Sequence, residues 1–202
     1  MAHAIVFDCE FLTADGAPSR FWCGPHDPDP VVAQIGCARL SLEGGFEINQ
    51  TQRTYVIPTG RDGGRVALDP LFIRLTGITE EEIDAQGVPL EQALAQTAAF
   101  ADGARLWSWG KDEFNMMAIS CYVAGLTPPL PISRFGNACA LLLKAGMPFE
   151  DLAKTRSNTL ADYYKVSHPP LRGHDALDDA LSVAYVLQHL LKEGALRADD
   201  FA

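Results

Sequence analysis

The chain reads as an α/β protein built on a mixed five-stranded sheet with helices on both faces. Three observations predict this. Segments of strand length and type recur at 4–9, 31–40, 51–58, 105–110 and 130–135. Apolar residues at helical spacing fill 80–101, 113–124, 137–145, 158–165 and 175–192. Three strands come first, and helices then alternate with two more, which mixes antiparallel and crossover connections. With 202 residues and 48% hydrophobic content, the chain has enough apolar surface for one compact domain spanning 1–202.

The first run, Ala4-Ile5-Val6-Phe7, has the length and type of a buried strand. Side chains alternate along a strand, so Asp8 and Glu10 share one face while Cys9 points to the other. Two carboxylates on one face of a strand end repel unless a cation lies between them. Hard oxygen ligands of this kind suit Mg2+ or Mn2+ better than zinc. The segment 13–30 follows, with Pro18, Gly24, Pro25, Pro28 and Pro30. Loops this long inside a compact domain are frequently functional, and this one leaves the strand that carries the acids.

The second and third strands cover 31–40 (VVAQIGCARL) and 51–58, and helices fill 80–101 with a break at Pro89. The run Arg105-Leu106-Trp107-Ser108-Trp109 reads as the fourth strand, Gly110 as its end, and Asp112 onward as a helix. Either Asp112 or Glu113 could face a metal there. Asp112 is favoured, because a shorter carboxylate fits a strand-to-helix bend more simply; capping of the helix is the competing role. Thr127–Pro131 is a connection within the domain.

In the last helix Leu177, Ala180, Leu181, Ala184, Leu187 and Leu191 follow helical spacing, and Asp175, Asp178 and Asp179 cluster at its start. Backbone N–H groups and the helix dipole there favour negative charge, which accounts for one or two of these acids. His174 and Asp179 are five apart, about 140° around a helix, so His174 belongs to the preceding loop and leans over a site that Asp179 enters from the helix. A histidine beside a carboxylate cluster is a candidate general base. Four carboxylates and one histidine drawn from distant segments predict a centre for two divalent ions and hydrolysis of a phosphodiester.

These three stretches resemble the motifs of the DEDDh 3′–5′ exonucleases, relatives of polymerase proofreading subunits, ribonuclease T and oligoribonuclease. Asp8 and Glu10 match the first motif, Asp112 the second, and His174 with Asp179 the third, H-x-x-x-x-D. The W-G-x-x-D form of the second motif, found in the subgroup similar to histone-mRNA and small-RNA trimming enzymes, would instead place the acid at Glu113. The segment Leu75-Thr76-Gly77-Ile78-Thr79 resembles the family's turn between the third strand and the next helix, and the likeness runs from Ile5 to about Leu191. It implies a ribonuclease H-like fold and two bound ions, Mg2+ or Mn2+. Asp8 would bridge both ions, Glu10 and Asp179 would complete the first, and Asp112 would hold the second. His174 would take the proton of the attacking water, and Phe11 and Leu12 would contact the terminal nucleotide, with ordinary core packing the competing role for these two. The implied substrate is a single-stranded nucleic acid or short oligonucleotide, RNA or DNA, trimmed to nucleoside monophosphates. From its length and its place after the strand with the acids, the loop 13–30 is expected to restrict substrate to single-stranded ends or short oligonucleotides. Several members of the family pair, which allows a homodimer.

Charge sets a constraint: 16 basic against 26 acidic residues give −10, which disfavours tight binding to long duplexes. The cations Lys144, Lys154, Arg156, Lys165 and Arg172 lead to His174 and form the first candidate surface for phosphates; Arg61, Arg65 and Arg74 form the second. No apolar run approaches the roughly 18 residues of a membrane span, and the N-terminus has no signal-like segment. Five cysteines without C-x-x-C spacing read as free thiols in a reducing cytoplasm. Two other functions are compatible with the pattern: a metal-dependent phosphoesterase acting on nucleotides, and a catalytically silent nucleic-acid-binding module.

Overall fold

A computed structural model describes residues 2–202. Its centre is one five-stranded sheet in the order β3-β2-β1-β4-β5, with β1 at His3–Phe11, β2 at Val32–Ser41, β3 at Ile48–Tyr55, β4 at Leu106–Ser108 and β5 at Phe135–Asn137. The first three strands form an antiparallel meander, while β1–β4 and β4–β5 pair in parallel. The expected mixed sheet is present, and the differences lie at its edges. β3 begins at Ile48 rather than 51, where it meets Leu40 across a register shift. The segment expected as a strand at 130–135 has prolines at its start and a short 3-10 turn at Ile132–Arg134, so β5 keeps only three residues beyond that turn.

Eight helices surround the sheet: α1 (Pro70–Thr76), α2 (Glu80–Gln86), α3 (Leu90–Ala101), α4 (Asp112–Val123), α5 (Ala138–Lys144), α6 (Phe149–Leu152), α7 (Leu160–Tyr163) and α8 (Ala176–Lys192). α1 and α6 lack a counterpart in the sequence reading. The turn at Leu75–Thr79 joins two helices rather than a strand and a helix: Gly77 closes α1 in the left-handed region (φ 68°), and Thr79 opens α2 with a reciprocal capping box to Glu82.

Alternation along β1 sorts the core. Ile5, Phe7 and Cys9 face one side, against Ala93 and Leu94 of α3 and Met116 and Met117 of α4. Ala4 and Val6 face the other, against Val183, Ala184 and Leu187 of α8. Asp8 and Glu10 continue the α8 face toward the strand end. Among the described residues no helix is long and apolar enough to cross a membrane, and the five cysteines are free thiols.

Candidate active site

The helix α8 lies unusually close to the sheet at its first turn, and residues from β2 make this possible. Gly36 pairs with Asp8 in the ladder. A Cβ at Gly36 would overlap the backbone of Ala176 and Leu177. The neighbouring Gln34, fully buried, accepts the Ala176 N–H at 2.7 Å and so supplies an orphan donor of the helix with its partner. Asp175 is the cap, accepting from the N–H groups of Leu177 and Asp178, both at 3.1 Å. Arg53 of β3 pairs with Asp175 at 2.7 Å and reaches Asp178 at 3.5 Å, while Asp178 accepts the Arg172 N–H at 2.8 Å. Two of the three acids at this helix start therefore have structural partners. The third, Asp179, lies on the stripe that α8 buries, with Ala176, Ala180 and Val183, and is 6% exposed.

The helix α4 delivers a carboxylate in the same way. Its buried face is Glu113, Met116, Met117, Ser120 and Cys121, an i, i+3, i+4, i+7, i+8 series. Asp112, about 100° away on this helix, is exposed. The acid that this segment brings to the cluster is thus Glu113, 7% exposed, and the preference for Asp112 is corrected. The signal was present in the apolar period itself: the residue in phase with Met116, Met117 and Cys121 is 113.

Asp8, Glu10, Glu113 and Asp179 converge at the end of β1. Burial is the largest cause raising every one of their carboxyls, and the charge of neighbouring acids adds to it, that of Asp112 in the case of Glu113. Asp8 is pushed well above the usual range, its neighbours Glu113, Asp179 and Glu10 acting after burial. Glu10 rises to about 8, with Asp179, Asp175 and Glu113 opposing its charge and Arg172 partly relieving it. Glu113 and Asp179 each rise to about 7. Oε2 of Glu113 is buried without a hydrogen-bond partner. A set of crowded hard oxygen donors with one left unpaired fits a divalent cation, which would supply both the missing charge and the missing partner.

His174 has a left-handed backbone (φ 61°), a conformation that a non-glycine residue holds only where its surroundings impose it. Its N–H donates to Asp179 at 3.2 Å. Its ring nitrogen and the carboxyl oxygens of Glu10 and Asp179 lie within 4.8 Å of one another. The third motif therefore closes around the first, as the spacing argument requires.

Beside this group opens a pocket of about 170 Å³, lined by Glu10 and His174 together with Phe11, Pro18, Phe72, Leu75 and Thr76. Phe11 packs against Trp22 of the long loop at 6.0 Å between ring centroids, and Pro18 of that loop reaches the pocket wall. The loop is tied to itself by Arg20 and Asp27. Leu12 does not share this wall. It is 1% exposed and packs with Val31, Ala33, Phe72 and Ile83, so its expected contact with a nucleotide is corrected to a core role. The ladder shifts register between Glu10 and Phe11, after which Leu12 turns into the α1–α2 cluster. Leu75 and Thr76, read from sequence only as part of a turn, supply the opposite wall.

No protein-family model matches this sequence, and no curated protein matches it. Solved structures do. The nuclease domain of 3′hExo, a DEDDh family member bound to rAMP, superposes with a TM-score of 0.72 at 19% identity, covering 96% of this chain and 93% of that one. Cell-death related nuclease 4 gives 0.71 at 20% identity, over 95% of this chain and 64% of its own. Exonuclease I of E. coli, in complex with a dA16 oligonucleotide, gives 0.61 at 15% identity; this chain covers 41% of its length. These superpositions show the fold: the mixed five-stranded sheet and its helices are arranged as in the ribonuclease H-like nuclease domains of these structures.

Proposed function

We propose that the protein is a metal-dependent 3′–5′ exonuclease that trims single-stranded RNA or DNA ends to nucleoside monophosphates. The observation that carries this is the convergence of Asp8, Glu10, Glu113 and Asp179, with His174 beside them, next to a pocket that Glu10 and His174 also line. Two divalent ions held by these carboxylates, Mg2+ or Mn2+, would ready a water for attack and offset charge on the departing oxygen. The chain's own residues supply the rest. Asp8, central among the acids, would face both ions; Glu10 and Asp179 would serve one and Glu113 the other. His174, held over Glu10 and Asp179 but open to solvent, would accept the proton of the attacking water and pass it on. Phe11 and Leu75 would hold the last base or sugar between apolar surfaces, and Pro18 would narrow the entrance to a single strand. Relatives of the same fold in complex with rAMP and with a dA16 oligonucleotide support a nucleotide end as the ligand and leave both sugars open. The free thiols fit a reducing cytoplasm.

The test uses 5′-labelled single-stranded RNA and DNA of one sequence, with magnesium, with manganese and with chelator, alongside Asp8→Ala. The expected result is a metal-dependent ladder shortening from the 3′ end and absent in the variant. The negative charge of −10 favours a second reading, a phosphoesterase of small nucleotides. Cleavage of a mononucleotide ester with no shortening of either strand would establish that reading instead.

A further inference from the structure

The acidic balance of the chain makes its unpaired cations informative, and most of the arginines are spoken for. Arg53 is bound to Asp175, Arg61 to Asp29 at 2.6 Å, and Arg65 to Glu80 and Asp84. Lys144 pairs with Asp200. Arg39, Arg105, Arg134 and Arg156 donate to backbone carbonyls. Both surfaces expected to meet phosphates are thus partly neutralised by the protein itself. Arg172 differs. Only its backbone N–H is engaged, to Asp178, and among the described residues its guanidinium has no hydrogen bond or ion pair.

That guanidinium lies against the end of α1. It lies where a Cβ of residue 77 would stand, so the glycine is both the left-handed end of α1 and the seat of the arginine. The seat is at the carbonyl end of α1, which favours a cation. Leu75 and Thr76, the residues just before it, wall the pocket, and His174 stands two residues beyond Arg172. Its charge is felt by Glu10. An exposed, unpaired, fork-shaped cation beside an acidic site has the geometry to accept a phosphate diester, which Arg holds through two parallel N–H groups.

We propose that Arg172 is a substrate-positioning residue that binds the non-bridging oxygens of one backbone phosphate near the 3′ end of the strand. This rests on the exonuclease reading of the same site. Its role is to draw a polyanion to a site that otherwise repels it, and its energetic signature is the release of counterions from that phosphate.

The experiment measures KM and kcat for a single-stranded oligonucleotide across a range of salt concentrations. Arg172→Ala should raise KM about 10- to 100-fold, the range for a lost hydrogen bond to a charged group, with a smaller change in kcat. The slope of log KM against log salt should fall by about 0.7, the value for one phosphate on a single strand. Arg172→Lys should keep the slope while restoring only part of KM, because the charge stays and the fork is lost. Lys192→Ala, at the far end of α8, changes net charge equally and should leave the slope alone. A scan of competitor oligonucleotides, each carrying one neutral methylphosphonate, should find one linkage that weakens binding to the wild type but not to Arg172→Ala. An active wild type whose slope, KM and linkage scan match those of Arg172→Ala would overturn this inference alone. A wild type that shortens neither strand would overturn the exonuclease reading beneath it.

Discussion

Replacing Glu113 with glutamine removes one buried charge from the centre while keeping its shape, and the effects on stability and activity should have opposite signs. Glu113 moves from an ordinary 4.5 to about 7 on folding, mainly through burial. Below the unfolded value the carboxyl is protonated in both states and carries no penalty. As pH rises from there toward about 7, the unfolded chain releases its proton while the folded chain keeps it, so stability falls. Above the folded value the loss is complete, and that difference is worth about 3 kcal/mol. Glutamine never ionises, so in chelator at about pH 8 Glu113→Gln should be more stable than the wild type by roughly 2–3 kcal/mol, narrowing to under ~1 kcal/mol at about pH 5. Urea denaturation followed by tryptophan fluorescence reads this directly. Magnesium should restore much of the wild type's missing stability at the higher pH, since binding to the native state adds RT ln(1 + [L]/Kd). The variant should gain far less from magnesium and should lose at least ~100-fold in activity. A wild type whose stability in chelator is flat between these pH values would refute the reasoning, as would a variant no more stable than its parent.

Gly36→Ala forces a methyl group against the first turn of α8 and should destabilise the fold by about 1–3 kcal/mol in denaturant titration; the folded fraction should also lose activity because Asp179 moves with that turn. Leu12→Ala should cost about 2–5 kcal/mol of stability with KM unchanged, whereas Phe11→Ala should raise KM about tenfold or more with little loss of stability, the scale of one lost stacking contact. Steady-state kinetics of His174→Ala should show kcat reduced about 10²- to 10⁴-fold as expected for a lost general base, while Asp112→Asn should remain within about twofold of the wild type, its side chain being exposed.

How much of this was legible in the chain depends on the range of the interaction that decides each residue. Asp8 and Glu10 follow from the alternation of β1, and His174 and Asp179 from a loop and a helix start five residues apart; both are local facts of backbone geometry. Glu113 was equally available, in phase with Met116, Met117 and Cys121, but an argument from side-chain length pointed to Asp112 instead. Leu12 was misread for another reason. Its burial depends on Phe72 and Ile83, about 60 and 70 residues away, and on α1, a short helix whose seven residues give too little periodicity to stand out.

The sequence by itself determined the strand and helix periods, the mixed α/β class, and four of the five groups that meet at the centre, because periodicity is written in neighbours along the chain. Only the tertiary structure decided which acids were taken up by caps and ion pairs, that Gly36 and Gln34 seat α8 against the sheet, and that Arg172 comes to lie against Gly77 with its guanidinium unpaired. Those outcomes rest on contacts between residues as much as 142 positions apart, and a pairing of that range exists only once the chain has closed on itself.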